Sequence, residues 1–182
     1  MYNTLTALKL GFSYNKRFKI AAEYIESRDS VIDVCSGTGV LSGFLPDGCV
    51  YECIDASVSF SAHLAKKGIK HHCYDIRSGM SGGKFRADVV IMIISLAHFR
   101  KTVIHELLED FKNIAERVVI IEDVLIKKRK DSSILQKVMN FLCGIEYELF
   151  TAAEFEKLMK EHGYSCKKND KRYYTGYFAR KE

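Results

Sequence analysis

The sequence predicts an α/β protein built on a mostly parallel sheet, and three observations lead to that prediction. Apolar runs typical of strands alternate with helical patterns along most of the chain. At residues 31–43, VIDVCSGTGVLSG, a strand-like run passes through a turn of small residues into a helical pattern. Near the carboxyl end, two strand-like runs are joined so tightly that they must be antiparallel. We therefore expect a three-layer sandwich whose last strand runs against the others.

The first half of the chain contains most of the predicted parallel strands. A helical pattern covers residues 14–27, with Phe18, Ala21, Ala22 and Ile25 on one face. A short helix is predicted at 40–45, and Ser57 is expected to cap another that closes at Lys67-Gly68. The predicted strands are 31–35, 49–54, 69–74 and 87–95, and the last contains the continuous apolar run VVIMII, as in a central strand buried on both faces.

The second half supplies the remaining three of the seven strands. A capping box of Thr151 and Glu154 predicts the start of a helix that ends at His162-Gly163. Further helices are predicted at 103–115 and 132–142, and further strands at 117–126, 164–168 and 172–180. Since we find no repeat, low-complexity tract or linker, we expect one domain over residues 1–182, in which 1–28 form an N-terminal helix region.

Composition excludes several classes of protein. The chain is 47% hydrophobic and 28% charged, with a net charge of +5, as in ordinary globular proteins. Its longest apolar run, 89–97, is too short to span a membrane, and the amino terminus has no secretory signal pattern. The six cysteines form no C-x-x-C pair, which favours reduced thiols in a cytoplasmic protein without a metal site.

Three successive strands end in or close to an acid, namely Asp33, Asp55 and Asp75. Ligands of open parallel sheets bind beyond the carboxyl ends of the strands, where carboxylates can accept from ribose hydroxyls, an exocyclic amine or a cationic amino group. A single acid at such a position is often only a helix cap or a turn former. Three of them around a glycine turn favour a nucleotide-type ligand.

On these residues the chain resembles the class I S-adenosylmethionine (SAM)-dependent methyltransferases over nearly its whole length. VIDVCSGTGVLSGFL is similar to their cofactor loop, ECIDAS to their ribose-binding strand and HHCYDIRSG to their adenine-side strand. DVVIMIISLAHF, VVIIEDVL and TAAEFEKLMKEHGY are similar to their fourth strand, their fifth strand and the helix before the final hairpin. The resemblance implies strand order 3-2-1-4-5-7-6 with strand 7 antiparallel, in a Rossmann-like methyltransferase fold.

The resemblance also implies the cofactor site. SAM, which yields S-adenosylhomocysteine (SAH), would be bound without a metal by Asp33, Cys35, Ser36, Gly37, Thr38, Gly39, Asp55, Ala56, Asp75, Ile76 and Ser95. Cys35 stands where the family usually has glycine, and we expect it to be tolerated with a negative φ.

The spacing of the glycines disfavours a dinucleotide as the ligand. A G-x-G-x-x-G motif needs its third glycine three residues after the second, whereas here Ser42 follows Gly39 at that distance and Gly43 comes one residue late. The spacing of Asp55 fits either ligand. An NAD-dependent enzyme is therefore less favoured, and a Walker loop is excluded because no G-K-[ST] follows the glycines.

The acceptor is expected beyond the fourth and fifth strands. His98 is the candidate catalytic residue because imidazole titrates near neutral pH, although a capping or packing histidine would fit equally. His63, His105 and His162 are expected to be surface residues on helices. Other candidates on the substrate side are Tyr14, Glu122, Asp123, Lys127 and Lys128, with residues 127–150 as a partial lid.

The basic run 127–130 (KKRK) favours an anionic acceptor, although such a run is often only a solvated loop. The sequence therefore predicts methyl transfer to a small or medium acceptor, with no membrane partner. Two alternatives stay open: a non-catalytic SAM-binding subunit and an RNA methyltransferase. A nucleic-acid acceptor is less favoured, because ISLAHF differs from the N-P-P-[YF] turn of enzymes that methylate base amines.

Overall fold

The computed structural model describes residues 14–80, 82–124, 150–170 and 173–180. Within them, the chain forms one seven-stranded sheet. The strands are β1 (Ser30–Val34), β2 (Val50–Asp55), β3 (Lys70–Cys73), β4 (Ala87–Ile93), β5 (Ala115–Asp123), β6 (Ser165–Lys168) and β7 (Tyr173–Ala179). Their spatial order is β3-β2-β1-β4-β5-β7-β6, which confirms the predicted order.

Four α-helices and three 3₁₀ turns accompany the strands in the described residues. The helices are α1 (Lys16–Ala22), α2 (Val58–Lys66), α3 (Lys101–Ile114) and α4 (Ala152–Glu161), and the turns are Val40–Phe44, Ile76–Ser78 and Leu96–His98. Two predicted caps are confirmed. The side chain of Ser57 accepts from Phe60 N at the start of α2, and Thr151 and Glu154 form a complete capping box on α4.

Strand direction sets the edge at which ligands bind. Neighbours from β3 through β5 pair in parallel, and β7 is antiparallel to both β5 and β6. Asp123, at the carboxyl end of β5, pairs with Tyr173, the first residue of β7. The turn between β6 and β7 therefore lies at the same edge of the sheet as the carboxyl ends of the parallel strands.

The core forms two apolar layers, one on each face of the sheet. In β4, Val90 and Met92 pack into one layer, whereas Val89 and Ile91 pack into the other, as the two-residue period of a strand requires. The first layer is covered by α3 and α4, and the second by α1 and the turn Val40–Phe44. These observations confirm the sandwich and the central position of β4, whose residues 89–92 are buried on both faces, whereas Asp88 is exposed.

Some boundaries differ from the prediction. The first helix spans Lys16–Ala22, although the apolar pattern extended to Ile25, which is buried outside the helix. Phe150, predicted as the end of the lid, is buried against Phe155 with ring centroids 6.2 Å apart. The remainder of the lid, the predicted helix 132–142, Lys127, Lys128 and residues 1–13 lie outside the described residues. Among the helices that are described, none has the length and apolar character needed to cross a membrane.

Candidate functional site

The predicted ligand edge of the sheet carries a tight turn after β1. Cys35, Gly37 and Gly39 in this turn have φ values of +57°, +57° and +67°. At Gly39 a Cβ atom would lie 2.7 Å from Leu64 Cδ2 and 3.2 Å from Ile69 Cδ1. Glycine is therefore required there both for the left-handed conformation and for close packing against α2.

Asp55 holds this turn against the end of β2. Its Oδ2 atom accepts a hydrogen bond from Gly37 N at 2.9 Å, and its Oδ1 atom accepts one from Ser57 N at 2.8 Å. An ionised carboxylate has about four acceptor positions, so two remain for hydroxyl groups of a ligand. Asp55 thus fixes the turn and can bind at the same time.

Asp33 is buried beneath the turn, with 3% of its surface exposed. The Tyr51 hydroxyl donates to its Oδ2 atom at 2.5 Å. Burial raises the pKa of Asp33 to about 7; the hydrogen bond from Tyr51 opposes this increase, and the charge of Asp55 adds to it. The site therefore contains a carboxyl group whose charge changes near neutral pH.

Asp75 lies at the end of β3 in a different environment. Arg77 donates hydrogen bonds to its carboxylate from Nε, at 2.9 Å from each oxygen, and from Nη2, at 2.6 Å from Oδ2. These hydrogen bonds lower the pKa of Asp75, so it is ionised at neutral pH. The next residue, Ile76, is buried in the apolar layer beneath α3, so its backbone, and not its side chain, remains at the ligand edge.

The other predicted cofactor residues lie around the same turn. Ser36 N donates to Ile54 O at 3.3 Å, which joins the turn to β2. Lys67 Nζ donates to Thr38 O at 3.2 Å. Ala56 is exposed directly after Asp55. These contacts place Ser36, Thr38 and Ala56 at the edge where the three acids lie.

Cys35 differs from the expectation, because its φ is +57° and not negative. The turn requires a left-handed residue directly after β1, and cysteine adopts this conformation at a cost of about 1–2 kcal/mol relative to a favoured one. Burial, followed by the charges of Asp55, Asp33 and Asp75, raises the pKa of the Cys35 thiol. The thiol is therefore protonated and unsuited to act as a nucleophile.

The segment after β4 is also strained. Ile94 has a φ of +51°, which is rare for a β-branched residue, and its backbone N donates to Ile121 O at 2.7 Å. Ser95 is buried, with its hydroxyl donating to Ile93 O at 3.1 Å. His98 is the exposed last residue of a one-turn helix whose other two residues are buried, and its backbone N donates to Ser95 O at 3.1 Å. Strain of this kind is concentrated at functional sites.

Glu122 supports this segment from below. Its carboxyl group is 1% exposed and accepts hydrogen bonds from Leu96 N at 3.2 Å and Asp123 N at 3.1 Å. Burial raises the pKa of Glu122 to about 8. Because the side chain is enclosed, any influence of Glu122 on a substrate passes through the loop that it holds.

Two further predictions concern residues away from the turn. Tyr14 packs edge-to-face on Phe18, with ring centroids 5.7 Å apart, in front of α1.

His162 was expected on the surface of a helix, but it follows α4 and its side chain is only 11% exposed. Its Nδ1 atom lies 2.6 Å from Glu109 Oε1. Its Nε2 atom lies 2.6 Å from His105 Nδ1, so contact with α3 covers it. His63 and His105 are exposed as expected.

Sequence reasoning missed Tyr51 and Arg77 as neighbours of the strand-end acids. In the register of β1 and β2, Asp33 lies opposite Cys53, so Tyr51, two residues earlier, shares the side of the sheet on which Asp33 projects. The alternation of side chains along β2 indicated which residues share a face, but the register of β1 and β2 was needed to identify Tyr51 as the neighbour of Asp33.

In the described ranges, no group of three or more His, Cys, Asp or Glu residues is placed to hold a metal ion, and every cysteine there is unpaired.

Comparison with known proteins gives a family and a set of similar folds. A family model described as a methyltransferase domain matches residues 12–168. No curated protein matches the sequence significantly. DhpI in complex with SAH is similar in structure, with a TM-score of 0.73 and 16% identity over 100% of this chain and 91% of that chain.

Two further solved structures share the fold. A SAM-dependent methyltransferase from Aquifex aeolicus has a TM-score of 0.62 and 17% identity, over 94% of this chain and 95% of that chain. The magnesium protoporphyrin IX methyltransferase of Synechocystis, with bound SAH, has a TM-score of 0.61 and 16% identity, over 89% of this chain and 78% of that chain. Together with the strand order and the glycine turn, the family match shows that this chain belongs to the methyltransferase-domain family and is a class I SAM-dependent methyltransferase.

Proposed function

We propose that this protein transfers a methyl group from SAM to a small or medium acceptor that carries negative charge. One observation carries the cofactor part of the proposal: the acids of three neighbouring strand ends surround one glycine turn, and Asp55 is bonded directly to that turn. A turn of this kind brings backbone close to a ligand, while the acids supply acceptors for its polar groups.

Each acid is suited to a different part of the cofactor. Asp55 has two acceptor positions left for the ribose hydroxyls, and Asp75 is ionised and can accept from the exocyclic amine of adenine. Asp33 can balance the cationic amino group of the methionine part, and a nearby cation would favour its ionised form. The remaining residues proposed to line the cofactor are Cys35, Ser36, Gly37, Thr38, Gly39, Ala56, Ile76 and Ser95.

When bound, SAM supplies a methyl group on a positively charged sulfur. Transfer of that methyl group leaves a neutral thioether. The protein therefore needs mainly to align the acceptor and exclude water. His98 is the residue we propose for contact with the acceptor, or for removing its proton where the acceptor must lose one. Glu122 positions it indirectly, because it holds Leu96 N in the same turn.

The sequence after β5 favours an acceptor with negative charge. The run 127–130 contains four consecutive basic residues and begins four positions after Asp123, the last residue of the strand. Basic side chains near the acceptor would favour a phosphate or carboxylate group. Lys127 and Lys128 are the members of this run that we propose on the substrate side.

The unpaired cysteines of the described residues suit a reducing, cytoplasmic compartment.

The first test is calorimetric titration of the protein with SAH, with the Asp55→Ala variant as the matched control. The proposal expects saturable binding of one SAH per chain, together with a marked loss of affinity in the variant. Absence of binding by the folded wild-type protein would overturn it.

The second test is turnover with radiolabelled SAM on a panel of acidic, neutral and nucleic-acid acceptors. We expect label in an acidic small molecule, and an apparent KM that rises when residues 127–130 are neutralised. SAH binding without label in any acceptor would instead identify a non-catalytic binding subunit. Label only in RNA, with a steep salt dependence, would identify a nucleic-acid methyltransferase.

A further inference from the structure

Arg17 is a buried cation on the first helix. Only 9% of the residue is exposed, and the carbon at the centre of its guanidinium group lies 4.2 Å from the ring centroid of Tyr14 and 4.8 Å from that of Phe18. Tyr14 lies three residues before Arg17 and four before Phe18, so its ring can contact both side chains at the start of the helix. The aromatic rings attract the cation and shield it from water.

The start of α1 lies at the ligand edge of the sheet. Lys16 Nζ contacts Asp170 Oδ2 at 2.5 Å, and Asp170 Oδ1 accepts from Tyr173 N at 2.8 Å. Tyr173 in turn pairs with Asp123, at the carboxyl end of β5. This chain of contacts places Lys16, and Arg17 beside it, beyond the carboxyl ends of the central strands.

The same helix also reaches the segment after the glycine turn. Phe18 stacks on Phe44, with ring centroids 5.7 Å apart and an interplanar angle of 19°, and Phe44 ends the 3₁₀ turn that begins directly after Gly39. α1 also packs against β4 and β5. The helix that carries Arg17 therefore lies over β4 and β5, the strands beyond which the acceptor is expected.

The charge of Arg17 has no matching anion in the described part of the chain. Its Nε atom is buried and has no hydrogen-bond partner there. Asp170, the acid that contacts the start of α1, is already paired with Lys16. A guanidinium group buried without an anion is unfavourable, so the arrangement is suited to a charge that arrives with a ligand.

We propose that Arg17 binds the anionic group of a molecule held at the active site. The planar guanidinium group can form two parallel hydrogen bonds to a carboxylate or phosphate oxygen pair. This proposal rests on the proposed function and deepens it. The anion has two sources that share this chemistry: the carboxylate of the methionine part of the cofactor, or an acidic group of the acceptor.

The test observes the Arg17 side chain directly. In ¹⁵N-labelled protein, the Nε–Hε resonance of Arg17 is assigned by its disappearance in Arg17→Lys and is followed during separate titrations with SAH, 5′-methylthioadenosine and inorganic phosphate. 5′-Methylthioadenosine keeps the nucleoside and the sulfur but has no carboxylate. A shift with SAH and none with 5′-methylthioadenosine identifies the cofactor carboxylate as the partner. A shift with phosphate in protein already saturated with SAH identifies the acceptor side.

Affinity measurements provide an independent readout. Arg17→Gln is compared with Lys19→Gln, which removes one positive charge from an exposed position of the same helix. If Arg17 binds the cofactor carboxylate, SAH affinity falls roughly tenfold or more in Arg17→Gln, while 5′-methylthioadenosine affinity and the Lys19→Gln variant stay unchanged. If it binds the acceptor, SAH affinity is kept and the phosphate-induced shift of neighbouring amides is lost.

An Arg17 resonance that moves with none of the three probes, in protein that binds SAH normally, would overturn the proposal and leave the proposed function intact. Wild-type protein that binds no SAH would instead count against the proposed function. The resonance measurement uses the wild-type chain, so it remains decisive even if Arg17→Gln fails to fold.

Discussion

The hydroxyl group of Tyr51 donates a 2.5 Å hydrogen bond to the carboxyl group of Asp33 between the two adjacent strands β1 and β2. This bond gives the buried acid one polar partner in a region that excludes water. Because the partner is a neutral donor, burial still dominates, and the pKa of Asp33 is raised to about 7. Burial therefore sets the protonation of Asp33, and the hydrogen bond from the second strand only moderates the increase in its pKa.

Asp33 makes the stability of the fold depend on pH. Between pH 4 and pH 7, folded Asp33 keeps its proton while unfolded Asp33 has lost it, so the free energy of unfolding falls as pH rises through this window. The raised pKa corresponds to a decrease of about 4 kcal/mol at most. Urea unfolding at a series of pH values should show a smaller decrease in Asp33→Asn. Identical slopes for the two proteins would contradict the raised pKa.

The carboxylate of Asp55 should be needed for tight binding of the cofactor. In Asp55→Asn one acceptor oxygen and the charge are lost, so we expect SAH affinity to fall roughly 10- to 100-fold, since charged hydrogen bonds contribute about 1.5–3 kcal/mol. Ser57→Ala is the control. It removes the side-chain cap of α2 and lowers stability by about 1 kcal/mol, but it leaves both carboxylate oxygens of Asp55 in place. Calorimetry on both variants separates the effects. An Asp55→Asn protein that binds SAH like the wild type would refute this role.

Cys35 should be replaceable by glycine with no loss of stability. Its φ of +57° is strained for cysteine and unstrained for glycine, so relief of about 1 kcal/mol offsets the entropy and packing that glycine loses. Cys35→Val should unfold at clearly lower urea, because a β-branched residue is disfavoured at positive φ. Thermal and urea unfolding of the two variants test this directly. Equal stability of the glycine and valine variants would show that the turn has another conformation.

Glu122 should act through its acceptor atoms and not through its charge. Glu122→Gln keeps the shape of the side chain but only one of its two acceptor oxygens, so we expect a loss of stability at pH 7 that is smaller than that of Glu122→Leu. In Glu122→Leu the buried Leu96 N and the Asp123 N lose their acceptor, which should lower stability by roughly 1–3 kcal/mol. Urea unfolding of both variants at pH 7 is the measurement. If the leucine variant matched the glutamine variant, Glu122 would have no positioning role.

Features that depend on neighbouring residues in the chain were predicted well. The caps by Ser57 and by Thr151 with Glu154 are local, since each side chain bonds a backbone group three residues away. The strand order followed from the resemblance to a known family, and the antiparallel end of the sheet from the tight turn after β6. The position of the three strand-end acids needed only the ends of the strands.

Features that depend on contacts between distant segments were not predicted. The hydrogen bond from Tyr51 requires the register of two strands, and the burial of His162 requires α3 to pack over the end of α4. Arg17 is a polar residue beside an apolar stripe, and its burial follows from where Tyr14 and Phe18 place their rings. The positive φ of Cys35 depends on the path of the turn, which its side chain does not determine.

The position of β7 has a consequence for synthesis of the protein on the ribosome. β5 is complete at Asp123, but its partner in the sheet begins 50 residues later at Tyr173, as their register shows. At a rate of roughly 5–20 residues per second, β5 stays an open sheet edge for roughly 3 to 10 seconds while the intervening residues are translated. During that interval its unpaired backbone N–H and C=O groups and its apolar side chains are exposed to other nascent chains, which makes this strand the expected point of chaperone contact.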